Sequence, residues 1–510
     1  MKHHTDAIVV FAALILVLAM IFIPALYMRP ALAQTRNQTS NQPQPDNWSM
    51  YHHDLQRFGL STAVPPTCTL LWRFYTGPSA SAPVADLLRA SPAVVDGVVY
   101  IGSNSYFYAL NATVGSEIWQ VDVGANVESS AAVVGSVVYF GVLWNGQNGY
   151  VDALNATTGS VIWRFATTSG IESSPAVVNG VVYIGSYGGG VYALNSQNGA
   201  LIWQYEKGGS TFSSPAVEGG VVYIGSINGS VYALNAVTGE ELWSFQTENP
   251  IYASPTVVGN IVYINTDNGT VYALRTTDGT EIWQAYIGSG SDHADDSPAV
   301  AYGIVYVGTR NGYYAFNATT GQQIWFFTSP YSPRQLTGYV YSSPAVTGDT
   351  VYFGSYDSYV FALNAFNGSL IWAYQTGGFL FSSPAVSNGA LYIGSYDGNV
   401  YALGNYTSTI TASPTLQPNP TTSPTATPTP SPAPTSTQAP ATTAQNDASI
   451  YIPVPTSVPS QAPAPFSTVQ PEPTASSSCP TINLILLSAI LAVLGAFFAV
   501  VVLAFRKQPS

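Results

Sequence analysis

The sequence predicts an all-β fold, an eight-bladed β-propeller of four-stranded antiparallel blades whose ring is closed by an N-terminal strand. Three observations carry this prediction. A phrase like "SSPAVVNGVVYIGS" begins eight times, at Ser91, Ser130, Ser174, Ser214, Ser254, Ser297, Ser343 and Ser383. A second phrase, such as "VYALNAVTGEELWSF" at 231–245, follows each copy, and its tryptophan falls at Trp119, Trp163, Trp203, Trp243, Trp283, Trp325 and Trp372. The eighth tryptophan, Trp72, lies in "LLWRFYTG", upstream of every copy.

Each period of roughly 40–47 residues contains four short β-rich runs and no helical periodicity. The first run is "PAVV", closed by a turn such as Asn179-Gly180, and the second is "VVYIGS". Asn228-Gly229, Asn268-Gly269 and Asp397-Gly398 then predict two-residue hairpins into the third run, "VYALN". A glycine-containing turn leads to the fourth, "LIWQY". The last unit ends after its third run, at "VYALGN", so the "LLWRFY" strand around Trp72 is expected to complete it. Closing the ring in this way removes two open sheet edges that would invite aggregation.

The spacing A-x-N-x-x-x-G-x-x-x-W spans Ala109–Trp119, Ala153–Trp163, Ala193–Trp203, Ala233–Trp243, Ala315–Trp325 and Ala362–Trp372, and Ala273–Trp283 keeps it with Arg275 in the Asn place. A large flat indole buries much apolar area, and Ala and Gly leave room for it. This spacing resembles the tryptophan docking motif of the PQQ-type, quinoprotein-like and BamB-like β-propellers. The resemblance implies that each tryptophan packs between neighbouring blades, and that Trp72 does the same. Even the lead-in "WSMYHHDLQRFG" resembles that family's usual opening segment, in which His52 and His53 are expected to pack on the propeller surface. WD40 repeats end their blades in Trp-Asp, and none of these tryptophans is followed by Asp.

The segments around the repeats set the domain plan. Residues 1–33 read as a signal peptide, with Ala31 and Ala33 placed for cleavage, or as an N-terminal anchor; 34–47 is a polar linker. The propeller spans 48–406. Residues 407–480, dominated by Ser, Thr, Pro and Ala, lack the apolar side chains for a core and read as a disordered stalk. Residues 481–505 are long and apolar enough for a transmembrane helix, and Arg506 and Lys507 place the tail 506–510 in the cytoplasm. The expected location is therefore the cell membrane, single-pass, with propeller and stalk outside. Nine N-x-S/T sequons, at Asn37, Asn47, Asn111, Asn155, Asn228, Asn268, Asn317, Asn367 and Asn405, are glycosylation candidates in that compartment, though several also suit the turns they occupy.

Composition excludes some functions. With 13 basic against 26 acidic residues, the surface repels phosphate backbones, so no nucleic-acid partner is expected. The two cysteines, Cys68 and Cys479, cannot build a multi-cysteine metal site, and they read as two unrelated free thiols. Asp292, His293, Asp295 and Asp296 form the one cluster with metal-ligand chemistry, a calcium candidate set against the reading of a solvated loop.

The residue before each first strand is expected to line the channel mouth. These are Arg89, Glu128, Glu172, Phe212, Tyr252, Asp295, Tyr341 and Phe381, one arc charged and the other mostly aromatic. Such a rim could grip a sugar or a peptide, or simply plug a wet channel. Two functions follow. The first is a monomeric, non-catalytic cell-surface binding or scaffold module for an extracellular protein, peptide or glycan, with no cofactor, as the resemblance to BamB-like scaffolds implies. The second is a PQQ-dependent dehydrogenase. Those enzymes carry an adjacent Cys-Cys disulfide, a calcium site and a catalytic Asp, and this chain has no adjacent cysteines.

Overall fold

Each repeat folds into its own sheet because its four β-rich runs are separated by turns too short for anything but antiparallel neighbours. The computed structural model describes residues 47–57, 59–77, 87–143, 148–188, 190–287, 296–309, 312–331 and 341–405. They fall within one of the two units into which the chain divides; the other, 410–477, lies outside them. The leader, the linker up to residue 46, the stalk and both apolar segments also lie outside the described residues, and among the latter no helix is long and apolar enough to cross a membrane.

Eight sheets form, each with four antiparallel strands, and one gains a fifth strand. Blade 1 runs through Ala93–Val95, Val98–Gly102, Tyr106–Asn111 and Glu117–Asp122. The eighth blade takes Ala385–Ser387, Ala390–Gly394 and Asn399–Gly404 from the end of the repeats and Leu70–Tyr75 from their beginning. Trp72 stands opposite Ala402 and Arg73 opposite Tyr401, which is the expected closure. The extra strand, Leu60–Ser61, adds in parallel beside Ala345–Thr347 of blade 7.

The docking tryptophans share one geometry. Each is 6–9% exposed. Each indole N–H donates to a carbonyl in the next blade: Trp72 to Ala112, Trp119 to Ala156, Trp163 to Ser196, Trp203 to Ala236, Trp243 to Thr276, Trp283 to Ala318 and Trp325 to Ala365, all at 2.8–3.0 Å. Trp372 instead donates to Pro66 at 3.2 Å, in the stretch that leads into the closing strand. The turn glycine beneath seven of these rings, all but Trp372, is required twice over. Gly239, for example, has φ +75°, and a Cβ there would lie 2.7 Å from the Trp203 ring. Tyrosines of the second strands reinforce the seam: the hydroxyls of Tyr183 and Tyr263 donate to the same carbonyls as Trp203 and Trp283.

The hairpins differ from expectation at one point. Asn179 and Gly180 both take positive φ and make a two-residue loop, with Val178 opposite Val181. At 226–230, however, Gly229 alone is at positive φ, its N–H donates to Ser226 O, and Ser226 N–H donates to Ser230 O. The loop therefore holds three residues, a turn followed by a left-handed glycine. Gly269 and Gly398 repeat the pattern. Asn228 earns its place through its side chain, which accepts from Ser230 N–H and donates to the Tyr232 hydroxyl.

Two other readings are corrected. Cys68 is buried and disulfide-bonded rather than a free thiol; Cys479 lies outside the described residues. The lead-in is not surface decoration, because His52 is 2% exposed and Arg57 is fully buried. The segment laces the underside of the ring. Trp48 pairs with Val94 of blade 1, and Ser49 O accepts from Val133 of blade 2. Leu55 O accepts from Val217 of blade 4, Gln56 O from Val257 of blade 5 and Gly59 O from Val346 of blade 7. A short irregular stretch thus satisfies inner-strand amides that would otherwise be buried without partners.

Candidate functional site

The axis of the ring is built from the eight serines that open the repeats. The backbone N–H of each donates to the hydroxyl of the next around the circle, from Ser91 to Ser130 and onward until Ser383 returns to Ser91, at 2.8–3.0 Å throughout. One position earlier, the hydroxyls of Ser129, Ser173, Ser213, Ser342 and Ser382 accept from the glycine amides of their second strands. In blade 6 Asp296 holds that place, fully buried, accepting from Gly308 N–H at 2.6 Å. Asp296 is thus a structural substitute for serine. Asp292, His293 and Asp295 lie outside the described residues, and among those described no group of three His, Cys, Asp or Glu is placed to hold a metal.

Tyr51 closes the channel from below. Its hydroxyl reaches into the serine ring, 2.7 Å from Ser343 Oγ and 3.2 Å from Ser297 Oγ. Arg57 braces it, donating to the carbonyls of Tyr51, Ser174 and Pro215 at 2.7–3.1 Å, with its guanidinium over the Tyr51 ring. Burial lowers the Arg57 pKa to about 10, opposed by Tyr51 and Asp54, so it stays charged at neutral pH. Burial, then the Arg57 charge, lower the neighbouring His52 to about 3.

Above this floor a cavity of about 170 Å³ opens, lined by Arg89, Glu128, Glu172, Phe212, Tyr252, Tyr341 and Phe381 as well as by Tyr51 and the serines. The structure brings seven of the eight expected rim residues together; Asp295 lies outside the described residues. Arg89 donates to both Glu128 oxygens at 3.1–3.2 Å and to the Tyr396 hydroxyl at 2.5 Å. Burial opposes its charge, but Glu128 and Tyr396 outweigh that and raise its pKa. The aromatic arc is a stack: Tyr341 on Phe381 at 4.4 Å and Phe381 on Tyr396 at 4.3 Å, with the Arg89 guanidinium against the far end. Across the mouth, Phe212 contacts Tyr187 and Tyr252.

Sequence reasoning missed Tyr187, Tyr356 and Tyr396. All three follow the "GS" that ends a second strand, so each stands on a hairpin at the mouth, and that offset was the available signal. It also missed Tyr51 and Arg57, because nothing local marks a channel plug. The insertion beside Trp144, and most of those at 78–88, 288–296 and 329–341, lie outside the described residues.

Residues 88–291 match the family model of the β-propeller of the β-alanine-activating enzyme, and residues 207–413 match the model of outer membrane protein assembly factor BamB. The two matches and the fold together support a PQQ-like β-propeller protein. This PQQ-like propeller is 33% identical over 78 residues to quinoprotein ethanol dehydrogenase of Pseudomonas putida, a stretch that is 15% of this chain and 12% of that protein. Among solved structures it is similar to BamB from Moraxella catarrhalis (21% identity, TM-score 0.55, covering 66% of this chain and 100% of that one). It is also similar to a europium-containing methanol dehydrogenase (14%, 0.59, 71% and 98%) and to quinohemoprotein alcohol dehydrogenase from Comamonas testosteroni (16%, 0.58, 74% and 82%). Likenesses at such identities show the fold, which enzymes and a non-catalytic assembly factor share.

Proposed function

We propose that this PQQ-like propeller is a non-catalytic binding or scaffold module at the cell surface, held there by the apolar segment 481–505. The stalk 407–480 would display its mouth to an extracellular protein, peptide or glycan. The observation that carries this reading is the blind cup. Tyr51 and the serine ring close it from below, so the cup offers a recognition surface and no passage.

The lining argues against the second reading, a PQQ-dependent dehydrogenase, which the dehydrogenase relatives favour. PQQ is a tricarboxylic acid and needs cations around it. Among the described lining residues there is one guanidinium, Arg89, already bound to Glu128, and there are two carboxylates, Glu128 and Glu172. Calcium has no better support, since the described member of the acidic loop, Asp296, is committed to a backbone amide. The test is to supply the full chain with PQQ and calcium and assay dye-linked oxidation of alcohols and sugars. No turnover, and no protein-bound quinone absorbance once free PQQ is removed, are expected; turnover would replace the scaffold reading with the dehydrogenase.

A further inference from the structure

We infer that the cup is an anchor for one basic side chain, a lysine or arginine presented by a protein partner, gripped at the level of Glu128 and Glu172 between the aromatic walls. The inference rests on the scaffold reading and names the chemistry of its site.

Size comes first. A cavity of about 170 Å³ falls below the range of about 300–1,000 Å³ typical of small-molecule sites, and it is closed beneath. That size suits one side chain or a single sugar ring. Charge comes second. The described lining carries two carboxylates against one guanidinium, on a chain of net charge −13. That balance attracts cations and repels anionic ligands from a distance.

The third argument is that the cup already holds a cation in this way. The Arg89 guanidinium is bound by the Glu128 carboxylate and lies 5.6 Å and 5.9 Å from the Phe381 and Tyr396 ring centroids. Carboxylate plus ring face is the combination that stabilises a partly desolvated guanidinium or ammonium. The floor sets the depth. Buried Arg57 lies behind Tyr51, so an entering cation stops at the carboxylates.

The test titrates the full chain, in detergent, with three Gly/Ser-flanked peptides carrying a central lysine, arginine or glutamine, and with methyl glucoside. Binding is followed by calorimetry into the millimolar range at low and high salt. The lysine and arginine peptides are expected to bind at least about tenfold more tightly than the glutamine peptide and to weaken as salt rises. Glu172→Gln, which keeps the shape and removes the charge, should lower their affinity about tenfold with an unchanged melting temperature. Equal affinity for all three peptides, binding of the glucoside alone, no binding at all, or an unaffected Glu172→Gln chain each overturns the anchor. None of these outcomes touches the scaffold reading, which falls instead to dye-linked dehydrogenase turnover with PQQ.

Discussion

The rim and the axis of this propeller obey the same eightfold repetition and use it in opposite ways. At the rim, seven of the eight tryptophans make the same hydrogen bond to the next blade, and seven turn glycines from Gly115 to Gly368 each sit under a neighbouring ring. At the mouth, the seven described equivalent positions hold Arg, Glu, Glu, Phe, Tyr, Tyr and Phe. The rim residue fills a closed gap between two sheets, where one missing atom leaves a cavity. The mouth residue faces a space that no neighbouring sheet fills, so packing leaves its identity open. The contrast locates stability at the rim and leaves the mouth free to vary in chemistry.

The sharpest way to break that contrast is to cut one rim contact. Trp203→Ala should lose about 3–5 kcal/mol of unfolding free energy by denaturant titration, from lost burial and an opened seam. A loss no larger than that of a mouth variant would end the distinction.

Arg57→Met tests whether the lower axis belongs with the rim. It leaves two buried carbonyls and one part-buried carbonyl without their donor and should cost about 3 kcal/mol, with the melting temperature falling accordingly. If the melting temperature is unchanged, the plug is dispensable and the lower axis belongs with the mouth.

Acid probes the same plug. His52 stays neutral when folded, with its pKa lowered to about 3, but takes a proton near 6.5 when unfolded. Its contribution is therefore complete above pH 6.5 and is lost as pH falls toward 3, at up to about 1.4 kcal/mol per pH unit. Comparing unfolding free energies across that window should show a shallower slope for His52→Gln than for the native chain.

The smallest effect belongs to the mouth. Glu128→Gln weakens a pair whose arginine is 44% exposed, and it should change stability by less than about 1 kcal/mol. A larger loss in a thermal melt would mean that the mouth also holds the ring together.

The repetition alone determined the blade count, the strand order, the docking tryptophans and the completion of the last blade by Trp72, because the physics behind them acts over one period. A Trp that packs on the next Gly, and a strand that pairs with the one before it, leave their mark at fixed spacing. The mouth residues were legible for the same reason, as was their division into a charged and an aromatic arc. Only the tertiary structure decided what happens at the axis. The serine circle, the Tyr51 plug over Arg57, the hairpin tyrosines and the role of Asp296 depend on eight distant segments meeting at one line. The lead-in residues belong to no repeat, and their partners lie up to 292 positions away, as between Tyr51 and Ser343. No local pattern can register such a meeting, because it exists only once the ring has closed.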